Sequence, residues 1–293
     1  MNDATPSPTC PPPDPHPKKP AFAPPPLSCD SHFHVFGPHR VFPYAADRPF
    51  TPHDAPKEAL LRLHEFLGIA RGVFVQSTCH GSDHAALIDL LASTGGRYRG
   101  VALLTPATAP AEIERLDAAG VCGVRFHFVS HLGQYPPIEE VRAVMRLVEP
   151  HGWHIAIHGY GKDLLANLEF IAGIRARVVI DHIGRVDVRE GEAGAAFVAL
   201  RRLLDGRNVW VKLSGTDRMS NQDPPFPDAV ALARILAEQA PERILWGTDW
   251  PHPNVRRMPN DGELVDLIPE IAVDEKTRQR MLVDNPAEFF GFG

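Results

Sequence analysis

The chain has little of what would take it out of ordinary globular chemistry. Its 293 residues contain four cysteines, Cys10, Cys29, Cys79 and Cys122, and no two form a C-x-x-C pair. That spacing argues against a zinc ribbon or a disulfide framework and fits reduced thiols in a cytoplasmic protein. No stretch approaches the roughly 20 apolar residues of a membrane span, and the N-terminus lacks the apolar core of a secretory signal, so an unexported protein with no membrane partner is expected. Basic runs are absent: Lys+Arg 30 against Asp+Glu 36 gives a formal net charge of -6, which leaves nucleic acid without its electrostatic footprint. A small-molecule partner is the expectation that remains, and composition leaves oligomeric state open.

What is abundant is proline, at 30, and histidine, at 15. Eleven of the prolines fall in residues 1–26, a segment with few amide donors for a ladder and little apolar surface to bury, so it reads as a flexible or extended Pro-rich arm. From residue 27 to residue 293 the composition is globular, with 44% hydrophobic residues over the whole chain, and a single domain with a sizeable core is expected. Short β-rich runs at 27–34, 72–76, 99–104, 123–128, 154–158, 177–181, 208–213 and 243–247 alternate with segments of period 3.6 at 56–67, 82–93, 110–119, 139–149, 162–172, 195–204, 228–239 and 262–268. Ser82 is placed to cap the second of these helices. Eight strands each followed by a helix predict a closed (β/α)8 TIM barrel. A doubly wound sheet would open with a glycine-rich phosphate turn after the first strand. Asp30-Ser-His-Phe-His34 stands there instead, so the barrel is preferred and no organic cofactor is expected.

Catalytic groups of such a barrel gather at the C-terminal ends of its strands. The first strand ends in His32-Phe33-His34, the fourth carries Arg125 and His127, the fifth ends in His158, the sixth in Asp181-His182, and the eighth runs into Thr248-Asp249. Strand residues two apart project to one face, so His32 and His34 suit two imidazole ligands or donors around one atom. An aspartate among imidazoles can take a proton from water and deliver hydroxide to a carbonyl, which makes Asp249 the candidate general base. His32, His34 and His182, or a metal they bind, face the oxyanion that follows.

Four motifs make the chain recognisable: Cys29-Asp-Ser-His-Phe-His-Val-Phe-Gly-Pro38, Val179-Ile-Asp-His-Ile-Gly-Arg185, Gly247-Thr-Asp-Trp-Pro-His-Pro-Asn254 and Asn285-Pro-Ala-Glu288. Together they resemble the amidohydrolase superfamily, in its branch of lactone hydrolases, over residues 29–290. The resemblance implies a TIM barrel, hydrolysis of a lactone or related ester, and a catalytic set of Asp249, His32, His34 and His182. Members of the superfamily commonly hold zinc or another divalent ion through the paired histidines, a histidine of the fifth strand and the aspartate of the eighth, which here are His32, His34, His158 and Asp249. The lactone-hydrolase branch is understood to work without metal and does not normally carry His158, so this residue tips the expectation towards a divalent ion, Zn2+ first.

By the same resemblance Arg125, Arg185 and Arg218 stand at positions that hold substrate carboxylates, a task suited to planar guanidinium groups. Thr78 and His80, in the matching loop Gln76-Ser-Thr-Cys-His-Gly-Ser82, are expected to hydrogen-bond the substrate. Two departures bear on specificity: His131 stands where relatives carry another basic residue, and Phe50 where they carry tyrosine. Tyr160 and Lys162 are placed to serve an altered substrate group. The implied substrate is a small anionic lactone, a pyrone dicarboxylate, a muconolactone of aromatic catabolism or a sugar-acid lactone. Lactone isomerisation is a near variant, metal-dependent decarboxylation of an aromatic acid the alternative enzyme class, and a non-catalytic anion-binding barrel the alternative outside enzymes.

Overall fold

A computed structural model describes residues 9–129 and 135–293. Eight parallel strands form one sheet in sequence order: β1 Cys29–Phe33, β2 Arg71–Val75, β3 Tyr98–Ala102, β4 Val121–Phe128, β5 His154–Gly159, β6 Val178–Ile180, β7 Val209–Lys212 and β8 Ile244–Leu245. Backbone bonds then join β8 to β1, from Ser31 N to Trp246 O at 2.8 Å and from Asp249 N to His32 O at 2.8 Å, and close the barrel. All eight expected strands are present, and the fold is the (β/α)8 barrel.

Alternation explains what fills it. In β2, β6 and β7 the inward positions Val73, Val75, Val179 and Trp210 join Cys29, Val101, Ala156, Leu245, Phe289 and Phe290 in one buried cluster inside the barrel. A second, larger cluster lies between the strands and the helices, where Lys57–Leu67 buries Leu60, Leu63, His64 and Leu67 and stops at Gly68 with φ 81°. Asn285, from the terminal motif, is structural: its Nδ2 donates to Pro241 O and Ile244 O and fastens the last helix beneath β8.

Three local expectations need correction. Ser82 does not cap the second helix; the helix starts at Ala85, and Asp83 Oδ1 accepts from Ala85 N at 2.9 Å. The helix expected over 162–172 is two, Gly161–Ala166 and Leu168–Ala172, broken at Asn167, whose φ of -113° is not helical. The helix expected over 262–268 is likewise divided into Asp261–Asp266 and Ile268–Ile271. Of the Pro-rich arm, residues 9–26 contain no helix or strand. Their contacts include Lys18 with Asp266 at 2.9 Å and the amides of Ala21 and Phe22 with Asp266 Oδ1 at 2.7 and 2.9 Å.

Candidate active site

The inward positions that are apolar at the barrel floor become polar at its C-terminal mouth. On β5 they run His154, Ala156, His158; on β7, Trp210 and then Lys212; on β4, Gly123, Arg125, His127, directly beside the β5 set in register. The chain therefore delivers ionisable groups to one end because a two-residue step climbs the barrel without leaving its inner face.

Asp249 is the centre of the arrangement. Its Oδ1 lies 3.3 Å from His34 Nε2, 3.6 Å from His32 Nε2 and 3.8 Å from His182 Nε2. Asp249 and His182 reach that point from turns in the left-handed region, with φ of 65° and 53°, conformations that non-glycine residues adopt at a cost and that here re-aim a side chain at a strand end. Gly247 allows the approach, since a Cβ there would sit 2.7 Å from His32 N. Below it Asp30 Oδ1 accepts from His32 N and Thr248 N, and Oδ2 from Thr248 Oγ1 at 2.5 Å, so the strands carrying His32 and Asp249 are tied to one buried carboxylate.

The imidazoles are held from behind. His34 Nδ1 donates to Val75 O at 2.7 Å, and His182 Nδ1 pairs with Ser214 Oγ at 2.9 Å. Burial is the largest influence on the basicity of His32 and His182; it drives His32 far below the usual imidazole range, helped by the Lys212 ammonium, and His182 to about 3, so both are neutral near pH 7. Burial pushes the Asp249 carboxyl up, but Arg218 first and then the surrounding imidazoles together outweigh it and hold the group far below the carboxylate range.

The cations divide by partner. Arg218 Nη2 stands 2.5 Å from Asp249 Oδ2, a charge contact rather than a directed hydrogen bond, and Arg218 Nη1 donates to Pro253 O. Arg125 Nε donates to Asp181 Oδ2 at 2.8 Å, and Asp181 Oδ1 meets Lys212 Nζ at 3.2 Å and His32 Nδ1 at 3.3 Å. Arg185 lies over the Tyr160 ring at 4.3 Å and has no carboxylate in ion-pair range among the described residues. All three arginines line the mouth cavity.

Thr78 lines the same cavity, with Phe50, Tyr160 and Lys162. His80, expected beside the substrate, is not on that lining: its Nδ1 pairs with Pro43 O at 3.2 Å and its ring stacks on Phe36, because the turn after β2 sends it outward under the 37–55 loop. His131 falls outside the described residues. Two groups were missed from sequence, Lys212 and the ion-pairing role of Asp181; a lysine two positions after the inward Trp210 was the available signal.

A divalent ion fits part of the expected set. The ligand atoms of His32, His34 and Asp249 lie within 4.8 Å of one another, and His34 Nδ1 is already committed to a carbonyl, which leaves its Nε2 lone pair facing the centre. His32 Nε2 is buried without a hydrogen-bond partner. His158, expected as the fourth ligand, is outside the group. Register pairs it with His127 across β4 and β5, and its Nδ1 faces His127 Nδ1 at 3.1 Å.

Above these residues opens a cavity of about 1480 Å3. A parallel (β/α)8 barrel with imidazoles and an acid gathered at its C-terminal mouth is the scaffold of a barrel enzyme. Residues 29–292 match the amidohydrolase family, and the chain belongs to it. It is 42% identical to a 2-pyrone-4,6-dicarboxylate hydrolase of Comamonas testosteroni, over 94% of this chain and 93% of that protein. It is 38% identical to a 4-sulfomuconolactone hydrolase of Hydrogenophaga intermedia, over 97% and 95%. A crystal structure from Agrobacterium tumefaciens superposes with a TM-score of 0.82 at 31% identity, covering 94% of this chain and 99% of the other. No helix among the described residues is long and apolar enough to cross a membrane.

Proposed function

We propose that this protein is a hydrolase that opens a small carboxylated lactone by attack of a water molecule that Asp249 deprotonates. The observation that carries the reading is the convergence of three imidazole Nε2 atoms on Asp249 Oδ1 at 3.3 to 3.8 Å. The carboxylate is ionised at neutral pH, so it accepts a proton from water as the oxygen attacks the ring carbonyl. Neutral His182, whose Nδ1 takes the Ser214 hydroxyl, presents Nε2–H to the tetrahedral oxyanion. Arg185 holds a substrate carboxylate, since its guanidinium faces the cavity free of a protein carboxylate. A zinc ion on His32, His34 and Asp249 supplies, when bound, Lewis-acid polarisation and a more acidic water.

Pyrone dicarboxylates, muconolactones and sugar-acid lactones all combine an ester carbonyl with an anionic group, and the hydrolase relatives act on lactones of the first two kinds. Decarboxylation, the alternative from sequence, is not favoured, because the relatives 38% to 42% identical over nearly the whole chain are lactone hydrolases and one at 33% is a lactone isomerase. The test is turnover of a panel of such lactones, followed by base uptake and mass of the ring-opened product. Asp249→Asn should lose about 100- to 10,000-fold in kcat, the range of general-base assistance. Full turnover by that variant, or inertness of the wild-type protein towards every carboxylated lactone, overturns the reading.

A further inference from the structure

The N-terminal arm touches the mouth of the barrel at several fixed points. Thr9 N donates to Thr51 O at 2.7 Å, next to the cavity-lining Phe50. Cys10 is buried, and its Sγ donates to Asn254 Oδ1 at 3.1 Å. Asn260 Nδ2 donates to Asp14 Oδ2 at 2.9 Å, and Asn260 Oδ1 accepts from Lys18 N at 3.1 Å while also capping Asp261–Asp266 through Gly262 N. Asn254 and Asn260 belong to the β8 loop, residues 253–260, which forms a continuous stretch of the cavity lining.

The fit is too close to be incidental. A Cβ at Gly262 would lie 2.0 Å from Lys18 O, so the arm backbone occupies the space that any side chain at the start of that helix would need. Prolines pre-set the arm's extended form, which lowers the entropy lost when it is laid down. We infer that residues 9–22 are a specificity-determining brace, which holds the 253–260 loop against the 37–55 loop and so fixes that wall of the substrate cavity. The chemistry at Asp249 does not pass through the arm. The brace should therefore govern substrate binding and leave the chemical step alone, an expectation that rests on the proposed lactone hydrolysis for its kinetic part only.

Gly262→Ala separates the brace from the helix it covers. Alanine suits a helix better than glycine, so a purely helical role predicts gain, whereas the clash with Lys18 O expels the arm. Deuterium exchange of the 252–260 amides should speed up about tenfold, and KM for a carboxylated lactone should rise about fivefold or more with kcat within about twofold. The quadruple variant Thr9→Ala, Cys10→Ala, Asp14→Ala, Lys18→Ala removes the side-chain contacts to Thr51, Asn254, Asn260 and Asp266 from the arm side and should do the same. Unchanged exchange at 252–260 in both variants, or faster exchange with unchanged KM, overturns the inference. Exchange reads the brace even if the protein proves inert on lactones, so the two proposals fail separately.

Discussion

Arg218 Nη2 and Asp249 Oδ2 stand 2.5 Å apart, both nearly excluded from solvent. The guanidinium expected to hold a substrate carboxylate thus neutralises the carboxylate expected to act as base. After burial, which raises the Asp249 pKa, Arg218 is the leading influence on it and the first of those that lower it. Removing the cation leaves the proton more tightly held, so a higher pH is needed to free the base. Arg218→Met should move the acid limb of kcat/KM to higher pH, and a pH–rate profile will show it. An acid limb that stays in place would mean that Asp249 does not set it.

Arg185 and Arg125 should behave differently although both line the cavity. Arg125 is committed to Asp181, which also meets Lys212 and His32, so Arg125→Met strips a buried ion pair and should cost about 3 to 5 kcal/mol of stability. Arg185 stacks on Tyr160 and meets no carboxylate among the described residues. Arg185→Met should leave the melting temperature within a few degrees and weaken anionic lactone binding by about 1.5 to 3 kcal/mol, the range for a hydrogen bond to a charged group. Calorimetric unfolding and KM measured on the same preparations separate the two. Equal affinity after loss of Arg185 would remove it from the binding site.

Acid should loosen the barrel from its floor. His154 is fully buried beside Phe289, and burial first, then the Lys212 and Arg177 charges, lowers its pKa to about 3. The unfolded chain takes up this proton near pH 6.5 and the folded chain only near pH 3, so between those values the unfolded state binds more protons and stability falls as pH falls. At pH 5 the single group contributes a loss of about 2 kcal/mol relative to neutral pH. Denaturant titrations of the wild-type protein and of His154→Gln across pH 7 to 5 should show a shallower slope in the variant. Parallel slopes would mean that the ring is protonated in the native state or already neutral in the unfolded one.

The fold was legible because two periods alternate eight times, and a two-residue apolar rhythm followed by a 3.6-residue one has few other readings. His32, His34, His182 and Asp249 were legible because each stands at a strand end, where a polar residue has the mouth to face. Lys212 was not, since Val-Trp-Val-Lys-Leu reads equally as a strand reaching solvent; its burial depends on Asp181 and on His32, far apart in the chain. The break at Asn167 was hidden because Leu164, Leu168 and Ile171 keep a helical rhythm across it. His80 was misplaced for a related reason: only the course of the turn after β2 decides that Thr78 faces the cavity and His80 faces away.

His34 carries the sharpest question of charge at the centre. Its Nδ1 faces the Val75 carbonyl, which only accepts, so the ring hydrogen sits there and Nε2 offers a lone pair. That lone pair points at Asp249 Oδ1 from 3.3 Å, another acceptor, with His32 Nε2 3.6 Å from the same oxygen. Two acceptors so placed in a buried site need a positive charge between them, which a divalent ion supplies. A metal ion satisfies both at once, so elemental analysis of protein purified without chelator should find about one divalent ion per chain. His34→Ala should lose that ion, whereas His158→Ala should keep it, because the His158 ring pairs with His127 instead. Protein that turns over lactones with no ion bound would leave water activation to Asp249 and the imidazoles alone.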